Sequence, residues 1–143
     1  MKTVVDTCIF NKLIDGLLST DDLPTDAQFV ATHVQIDELN RTTNEERRAR
    51  LFLRFSTFVD SIIPTESMVW GVSRWGHGKW SDGLLYNKLK SDLDSLNDGK
   101  DNNSKDALIA EVAIVNSYEL ITADDDLAEV ARNHGCQVRY FSI

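Results

Sequence analysis

Four acidic residues occupy positions in the sequence from which their side chains could act together. Asp6 directly follows a short apolar run, and Glu38 lies in a helical pattern that comes after a second such run. Asp106 lies near the start of a later helical pattern, and Asp124 comes two residues after the strand-like run 120–122. Because the carboxyl ends of parallel strands open onto one edge of a sheet, the sequence predicts that these carboxylates gather there.

A cluster of carboxylates of this kind predicts divalent-metal chemistry. Two like charges about 4 Å apart repel by ~4 kcal/mol at an effective dielectric of about 20, and a bound cation would remove that penalty. Oxygen ligands favour Mg²⁺ or Mn²⁺, which keep several waters and accept phosphate oxygens as further ligands. Such a metal lowers the pKa of a water, orients that water and stabilises the leaving oxygen. We therefore expect metal-assisted hydrolysis of a phosphate ester.

Neighbouring residues leave alternatives open at three of these positions. A run of three aspartates begins at Asp124, and we expect Asp124 to be the direct ligand and Asp126 a secondary one. Asp37 would replace Glu38 if its helix were rotated, although the apolar neighbours favour Glu38. Asp106 would also favour the start of a helix with no metal present. Hydroxyl groups that could hold the carboxylates or metal-bound waters are those of Thr7, Ser104 and Thr122.

The order of apolar patterns predicts strands and helices that alternate along the chain. Strands are expected at residues 2–5, 29–31, 119–122 and 136–141. Helices are expected at residues 9–18, around Glu38 after a cap at Thr32 or His33, at 44–61, at 82–96, from an N-cap at Ser104, and at 124–134. This order predicts an α/β fold, a three-layer α/β/α sandwich with a central, mainly parallel sheet. The segment 68–83 is too interrupted by glycine for a helix or a strand.

Length, composition and charge restrict the class of protein. The 143 residues, 42% of them hydrophobic, suit one domain that spans residues 1–143. No apolar run approaches the ~20 residues of a membrane span. The first residues form a strand-like run that is too short for the apolar segment of a secretory signal, so we do not expect export. The net charge of −8 argues against a broad basic surface that binds nucleic acid by itself. Cys8 and Cys136 are expected to be buried free thiols, which fits a reducing cytoplasm.

Four acidic motifs in this sequence together resemble the signatures of PIN domains. They are VVDTCIF at residues 4–10, IDEL at 36–39, DALIA at 106–110 and LITAD at 120–124. Each motif is weak alone. Their order, spacing and strand or helix context resemble the family over nearly the whole chain.

The resemblance implies a PIN-like sheet domain that hydrolyses RNA phosphodiester bonds with Mg²⁺ or Mn²⁺. Many single-domain members of the family are ribonuclease toxins of VapC type, which commonly form dimers and are inhibited by a small antitoxin. We therefore expect a cytoplasmic endoribonuclease with an RNA substrate, an antitoxin partner and a homodimeric assembly. The resemblance assigns catalysis and metal binding to Asp6, Glu38, Asp106 and Asp124, with Asp126 as a fifth acid and Thr7 and Thr122 as supporting residues.

Some features depart from the usual toxin pattern or allow a second interpretation. Cys8 stands where the first motif commonly has a small polar residue such as Asn, and the segment with Trp70, Trp75 and Trp80 is distinctive. These rings could stack on bases or pack within a loop or dimer contact. The arginines Arg47, Arg48, Arg50 and Arg54 could contact RNA or form an ordinary charged face. A phosphatase of haloacid-dehalogenase type would need an aspartate in place of Cys8. The alternative function is a catalytically silent PIN-like scaffold that binds RNA or protein.

Overall fold

Five strands form one central parallel sheet. The structure is a computed structural model that describes residues 2–69 and 83–143. The strands are β1 (Lys2–Val5), β2 (Gln28–Ala31), β3 (Val59–Ile62), β4 (Glu119–Thr122) and β5 (Val138–Tyr140). Their order in the sheet is β3-β2-β1-β4-β5, and each neighbouring pair is parallel.

Helices cover both faces of this sheet. Those in the described residues are α1 (Thr7–Ile14), α2 (His33–Asn40), α3 (Glu45–Phe58), α4 (Leu84–Asn97), α5 (Asn103–Val115) and α6 (Asp125–Asn133). Helices α1 and α3 pack on one face, and α4, α5 and α6 pack on the other. The predicted three-layer α/β/α fold with a parallel sheet is therefore confirmed. No described helix has the length and apolar composition to cross a membrane.

Alternating side chains of the central strands fill both cores. Val4 of β1 and Leu120 of β4 belong to the core beneath α4, α5 and α6. Val5 and Ile121, the next residues along the same strands, belong to the core beneath α1 and α3. Strands that are buried on both faces are apolar without interruption, which is why these short runs are visible in the sequence.

Two helices end earlier than the sequence patterns predict. Helix α1 ends at Ile14 rather than at residue 18, because Gly16 takes a left-handed conformation with φ of 75° and turns the chain away. Helix α3 ends at Phe58, and the next four residues form β3 instead of continuing the predicted helix 44–61. Pairing with β2 supplies the backbone hydrogen bonds of that segment, and the Asp60 carboxylate accepts the backbone N–H of Phe29 at 2.9 Å.

The predicted N-cap at Ser104 is wrong. Helix α5 begins at Asn103 with Asn102 in the cap position, two residues earlier than predicted. The buried side chain of Asn103 bonds to Asp94 and Asn97 of α4, which fixes this helix start against α4. The final strand is also shorter than predicted, since β5 covers Val138–Tyr140 only. The irregular structure expected at 68–83 falls mostly outside the described residues, as do Trp70, Trp75 and Trp80.

Candidate active site

A cavity of about 240 Å³ opens at the carboxyl ends of β1 and β4. Strand β1 lies between β2 and β4 in the sheet. The chain adds β2 and β3 on one side of β1 and then crosses to add β4 and β5 on the other side. This is the switch point of the strand order, where α/β sheets usually bind ligands. All four acids singled out in the sequence line the cavity, and it is completed by polar side chains. The lining residues are Asp6, Thr7, Cys8, Asn11, Glu38, Asn97, Lys100, Asn102, Asp106 and Asp124.

Asp6 is fixed at the junction of the two central strands. Its backbone N–H donates to Ile121 O at 2.9 Å, which extends the β1–β4 ladder by one residue. Its carboxylate is 5% exposed, and Oδ2 accepts hydrogen bonds from Thr122 Oγ1 at 2.7 Å and Cys8 Sγ at 3.2 Å. The Ala123 N–H donates to the same thiol at 3.3 Å. The carboxylate therefore has one fixed orientation at the floor of the cavity.

Asp124 combines a position on the cavity with a structural role. Its Oδ1 accepts the backbone N–H groups of Asp126 at 3.0 Å and Leu127 at 3.2 Å, so it caps α6. Its own N–H donates to Thr122 Oγ1 at 3.0 Å. Among the described residues no hydrogen bond is found to the second carboxylate oxygen of Asp124. A cap contributes about 1 kcal/mol to stability, so this aspartate has a reason to be present even without a metal.

Asp126 lies beside the cavity rather than on its wall. One carboxylate oxygen from each of Asp124, Asp125 and Asp126 lies within 4.8 Å of the others. Asp125 is exposed and Asp126 is partly buried. The side chain of Asp126 is thus close to Asp124 without lining the cavity.

Helix α2 presents Glu38, not Asp37, to the cavity. The rotation of α2 is fixed by Gln35, whose Nε2 donates to Val5 O at 3.1 Å and whose Oε1 accepts the Thr32 hydroxyl at 2.7 Å. Thr32 also caps the helix by accepting the Val34 N–H. A buried glutamine that the sequence reading did not single out therefore decides which acid faces the site.

Two buried oxygen atoms beside the cavity lack hydrogen-bond partners. They are Oε1 of Glu38 and Oγ1 of Thr7, and no described group bonds to either. The Thr7 hydroxyl lies near enough to Glu38 to act on its pKa, yet it makes no bond of standard geometry with Oε1. Unpaired buried polar atoms cost free energy, and a ligand in the cavity would remove that cost.

Burial and mutual repulsion hold protons on these acids. Burial raises the pKa of Asp6. Burial, followed by the Asp6 charge, raises the pKa of Glu38 to about 7. The pKa of Asp106 rises to about 9, first through burial and then through the charges of Asp6, Asp124 and Glu38, while Lys100 acts in the opposite direction. At neutral pH the cavity therefore carries less negative charge than four ionised carboxylates would give it.

The residues that line the cavity differ in several places from those that the sequence predicted. Ser104 does not line the cavity, because α5 begins earlier than predicted and Ser104 is its second residue. Cys8 is a free thiol as expected but only partly buried, and it lines the cavity. Its place inside the first motif was the signal for this role. The lining side chains of Asn11, Asn97, Lys100 and Asn102 carried no such signal. Asn11 lies within α1, and the other three lie at or in a glycine-containing connection, where polar residues are typical.

Comparison with solved structures finds the same fold in toxin–antitoxin proteins. VapBC2 from Rickettsia felis, bound to a promoter DNA fragment, matches with a TM-score of 0.62 and 16% identity, covering 99% of this chain and 100% of that chain. VapBC-1 from nontypeable Haemophilus influenzae matches with a TM-score of 0.62 and 19% identity over 98% of both chains. VapBC-5 from Mycobacterium tuberculosis matches with a TM-score of 0.51 and 17% identity, over 99% of this chain and 98% of that chain.

No protein-family model and no curated protein sequence matches the chain. The three structural matches span essentially the whole of both chains in each pair. The PIN-like fold implied by the sequence motifs is thus confirmed. At these identities the likeness concerns the fold alone.

The raised pKa values predict how stability depends on pH without metal. The unfolded chain loses the Asp106 and Glu38 protons near their ordinary pKa values of 3.8 and 4.5, whereas the folded chain holds them to about 9 and about 7. The folded state binds more protons in this window, so the free energy of unfolding falls as the pH rises through it. Urea denaturation in EDTA from about pH 5 to about pH 9 measures this fall.

Asp106→Asn should flatten this dependence, because it removes the carboxyl group whose pKa rises to about 9 in the folded chain. The matched control is Asp26→Asn, which makes the same change in an exposed connection before β2 and should keep the wild-type slope. A wild-type stability that stays level or rises with pH would contradict the assignment of protonated acids to the site.

Proposed function

We propose that this chain is a divalent-metal-dependent endoribonuclease of the VapC type. The observation that carries the proposal is the convergence of Asp6, Glu38, Asp106 and Asp124 on one cavity at the sheet's switch point. Such an arrangement costs free energy through burial and repulsion of like charges. Asp124 caps α6 and Asp106 lies in the first turn of α5, which favours each helix, but no described contact gives Glu38 a comparable role in the fold. Groups held at a cost in a cleft are typical of functional sites.

The donor set fits Mg²⁺ or Mn²⁺. The cavity offers carboxylate oxygens, which hard cations prefer, and the unpaired Oε1 of Glu38 is an acceptor without a partner. We infer that Asp6, Glu38, Asp106 and Asp124 hold the metal, with Asp126 close by as an accessory acid. The partly buried thiol of Cys8 already donates to Asp6, so it supports that carboxylate rather than competing for a hard cation.

The chain's own residues have distinct parts in the proposed hydrolysis. When bound, the metal would supply a water of lowered pKa and stabilise charge on the leaving oxygen. Thr122 and Cys8 hold the Asp6 carboxylate in one orientation. Glu38 and Asp106 would lose their protons when the cation binds, and their carboxylates would then accept or orient a proton of the attacking water. Thr7 offers a further hydroxyl beside Glu38.

A small antitoxin is the proposed protein partner, and a homodimer is the proposed assembly. The structural matches are VapBC proteins, which supports a partner of this kind. Leu17, which follows α1, and Leu53 of α3 are exposed at 55% and 66%, and Leu53 is followed by the exposed Arg54. Exposed apolar side chains beside a cation suit a protein contact better than an RNA backbone. An enzyme that cuts cellular RNA would act in the cytoplasm.

Three arginines of α3 bond to neighbouring segments of the chain, which supports a structural role for them rather than RNA binding. Arg47 pairs with Asp15 at 2.8 Å and donates to Asn11 Oδ1 at 2.8 Å. Arg48 donates to Thr42 O at 2.9 Å, and Arg50 donates to Ile14 O at 3.1 Å. These guanidinium groups hold α1 and the α2–α3 connection against α3. We therefore do not assign them to RNA.

The alternative function is a catalytically silent PIN-like scaffold that binds RNA or protein. Retention of all four acids at one cavity argues against it. A dehalogenase-type phosphatase is disfavoured further, because the position two residues after Asp6 holds Cys8, whose thiol donates to that aspartate.

The direct test of the proposal is a cleavage assay on labelled RNA, with single-stranded DNA as a comparison substrate. We expect the wild type to cut RNA with Mg²⁺ or Mn²⁺ and to be inert in EDTA. Asp6→Asn should abolish cleavage, because an amide cannot supply the charge that the cation needs. Asp26→Asn is the control, because Asp26 is exposed and does not line the cavity, and this variant should cut as the wild type does. Equal cleavage by Asp6→Asn would contradict the proposal.

Thr122 provides a second prediction, which concerns metal affinity. Its hydroxyl donates to Asp6 and accepts from the Asp124 N–H, so Thr122→Val removes both bonds while keeping the shape of the side chain. Loss of a group that orients a metal ligand typically costs about 10–100-fold in affinity. We expect a loss in that range for Mn²⁺, measured by calorimetric titration.

Thr3→Val is the matched control for this measurement. Thr3 is as fully buried as Thr122 and lies on the neighbouring strand, but its hydroxyl has no hydrogen-bond partner among the described residues. Its replacement should leave Mn²⁺ affinity unchanged. Equal losses in the two variants would mean that the Thr122 effect arises from general disturbance of the sheet.

A further inference from the structure

Lys100 is the one cationic residue among the described residues that line the acidic cavity. It lies in the short connection between α4 and α5. Its charge reaches the site, since it acts on Asp106 against the rise in that residue's pKa. A positive side chain at the mouth of a carboxylate cluster needs a physical reason.

The connection that carries Lys100 has a defined conformation. Asp98 and Gly99 are both left-handed, with φ of 58° and 77°, and together they reverse the chain after α4. The Lys100 N–H then donates to Asn97 Oδ1 at 3.2 Å, and its carbonyl accepts the Asn103 N–H at 3.0 Å. The backbone on both sides of this lysine is therefore fixed by hydrogen bonds.

A buried amide network anchors the connection to α4. Asn103 is 1% exposed, and its Nδ2 donates to Asp94 Oδ1 and to Asn97 Oδ1, both at 2.7 Å. Asn97 Nδ2 donates back to Asn103 Oδ1 at 3.0 Å. Asp94 is itself paired with Lys90 at 2.8 Å. Asp94 is thus already bonded to Asn103 and paired with Lys90, and it forms no ion pair with Lys100.

The ammonium group of Lys100 is not engaged by an acidic side chain among the described residues. Its side chain is exposed, and no ion pair to it occurs in residues 2–69 and 83–143. A lysine that served only to neutralise the acids would be expected in an ion pair with one of them. Once a divalent cation neutralises the carboxylates, an ammonium at the mouth is left to attract an anion, and the anion that reaches this site in the proposed reaction is a phosphate.

We propose that Lys100 binds a backbone phosphate of the RNA and so positions the strand over the carboxylate cluster. This inference rests on the proposed ribonuclease function and adds a substrate-binding residue to it. The fixed loop supplies the placement, and the free ammonium supplies three donors for phosphate oxygens. Neutral amides of Asn11 and Asn102 line the same mouth and complete a polar entrance.

The test compares Lys100→Ala and Lys100→Arg with the control Lys88→Ala. Lys88 is an exposed lysine of α4 that does not line the cavity, so its loss changes the net charge equally. RNA cleavage is measured at several salt concentrations, and Mn²⁺ affinity is measured by calorimetry on the same proteins. Circular dichroism verifies that each variant is folded.

We expect Lys100→Ala to raise KM about tenfold, the usual effect of one lost charge-assisted hydrogen bond, with kcat and Mn²⁺ affinity little changed. The dependence of log KM on log salt should fall by about 0.7, the value for one phosphate contact on a single strand. Lys100→Arg should recover most of the affinity, and Lys88→Ala should match the wild type.

Two other outcomes overturn the inference, and they differ in what else they overturn. If Lys100→Ala keeps the wild-type KM and salt dependence, or loses only Mn²⁺ affinity, Lys100 does not bind the substrate, while the ribonuclease function stands on the wild-type activity. If the wild type itself cuts no RNA with either metal, the proposed function fails and the role of Lys100 fails with it.

Discussion

Burial of like charges at the end of the β1–β4 ladder is the constraint on which the site depends. The same backbone bond that extends the ladder, from Asp6 N–H to Ile121 O, fixes an aspartate 5% exposed beside three other acids. Water cannot screen these charges well, and burial penalises each ionised carboxylate. The fold therefore holds its central acids in a state that a divalent cation would relieve.

The surrounding structure limits that cost without removing it. Thr122 and Cys8 donate to Asp6, and the backbone of α6 donates to Asp124. Among the described residues no hydrogen-bond donor of standard geometry to Oε1 of Glu38 is found, and burial and neighbouring charges raise the pKa values of Glu38 and Asp106 to about 7 and about 9. Near neutral pH Asp106 therefore keeps its proton, and Glu38 keeps its proton in part of the molecules. Cation binding would have to displace these protons.

Much of the fold, and the four acids, could be read from the sequence because they depend on local patterns. The runs that became β1 and β4 are buried on both faces, and Asp6 and Asp124 follow directly from their ends. Strand β3 could not be read in this way, since Val59 and Ile62 continue the apolar spacing of α3. What makes this segment a strand is its pairing with β2, which is a tertiary interaction.

The other residues missed by sequence reasoning also depend on contacts between distant parts of the chain. Asn103 begins α5 because it bonds to α4, and this displaces Ser104 from the predicted cap. Gln35 decides the rotation of α2 through a bond to Val5 O. Lys100 faces the cavity only because two left-handed residues reverse the chain before it. None of these contacts leaves a periodic signal in the sequence.

Calorimetric titration of Mn²⁺ into the metal-free protein, near neutral pH in two buffers of different ionisation enthalpy, tests the central claim most directly. If the carboxylate cluster is a metal site, Mn²⁺ binds and the apparent enthalpy differs between the buffers, because Glu38 and Asp106 release protons on binding. Asp106→Asn should reduce this proton release. Absence of binding at millimolar Mn²⁺ with the fold intact, or binding with no proton release, would contradict the account.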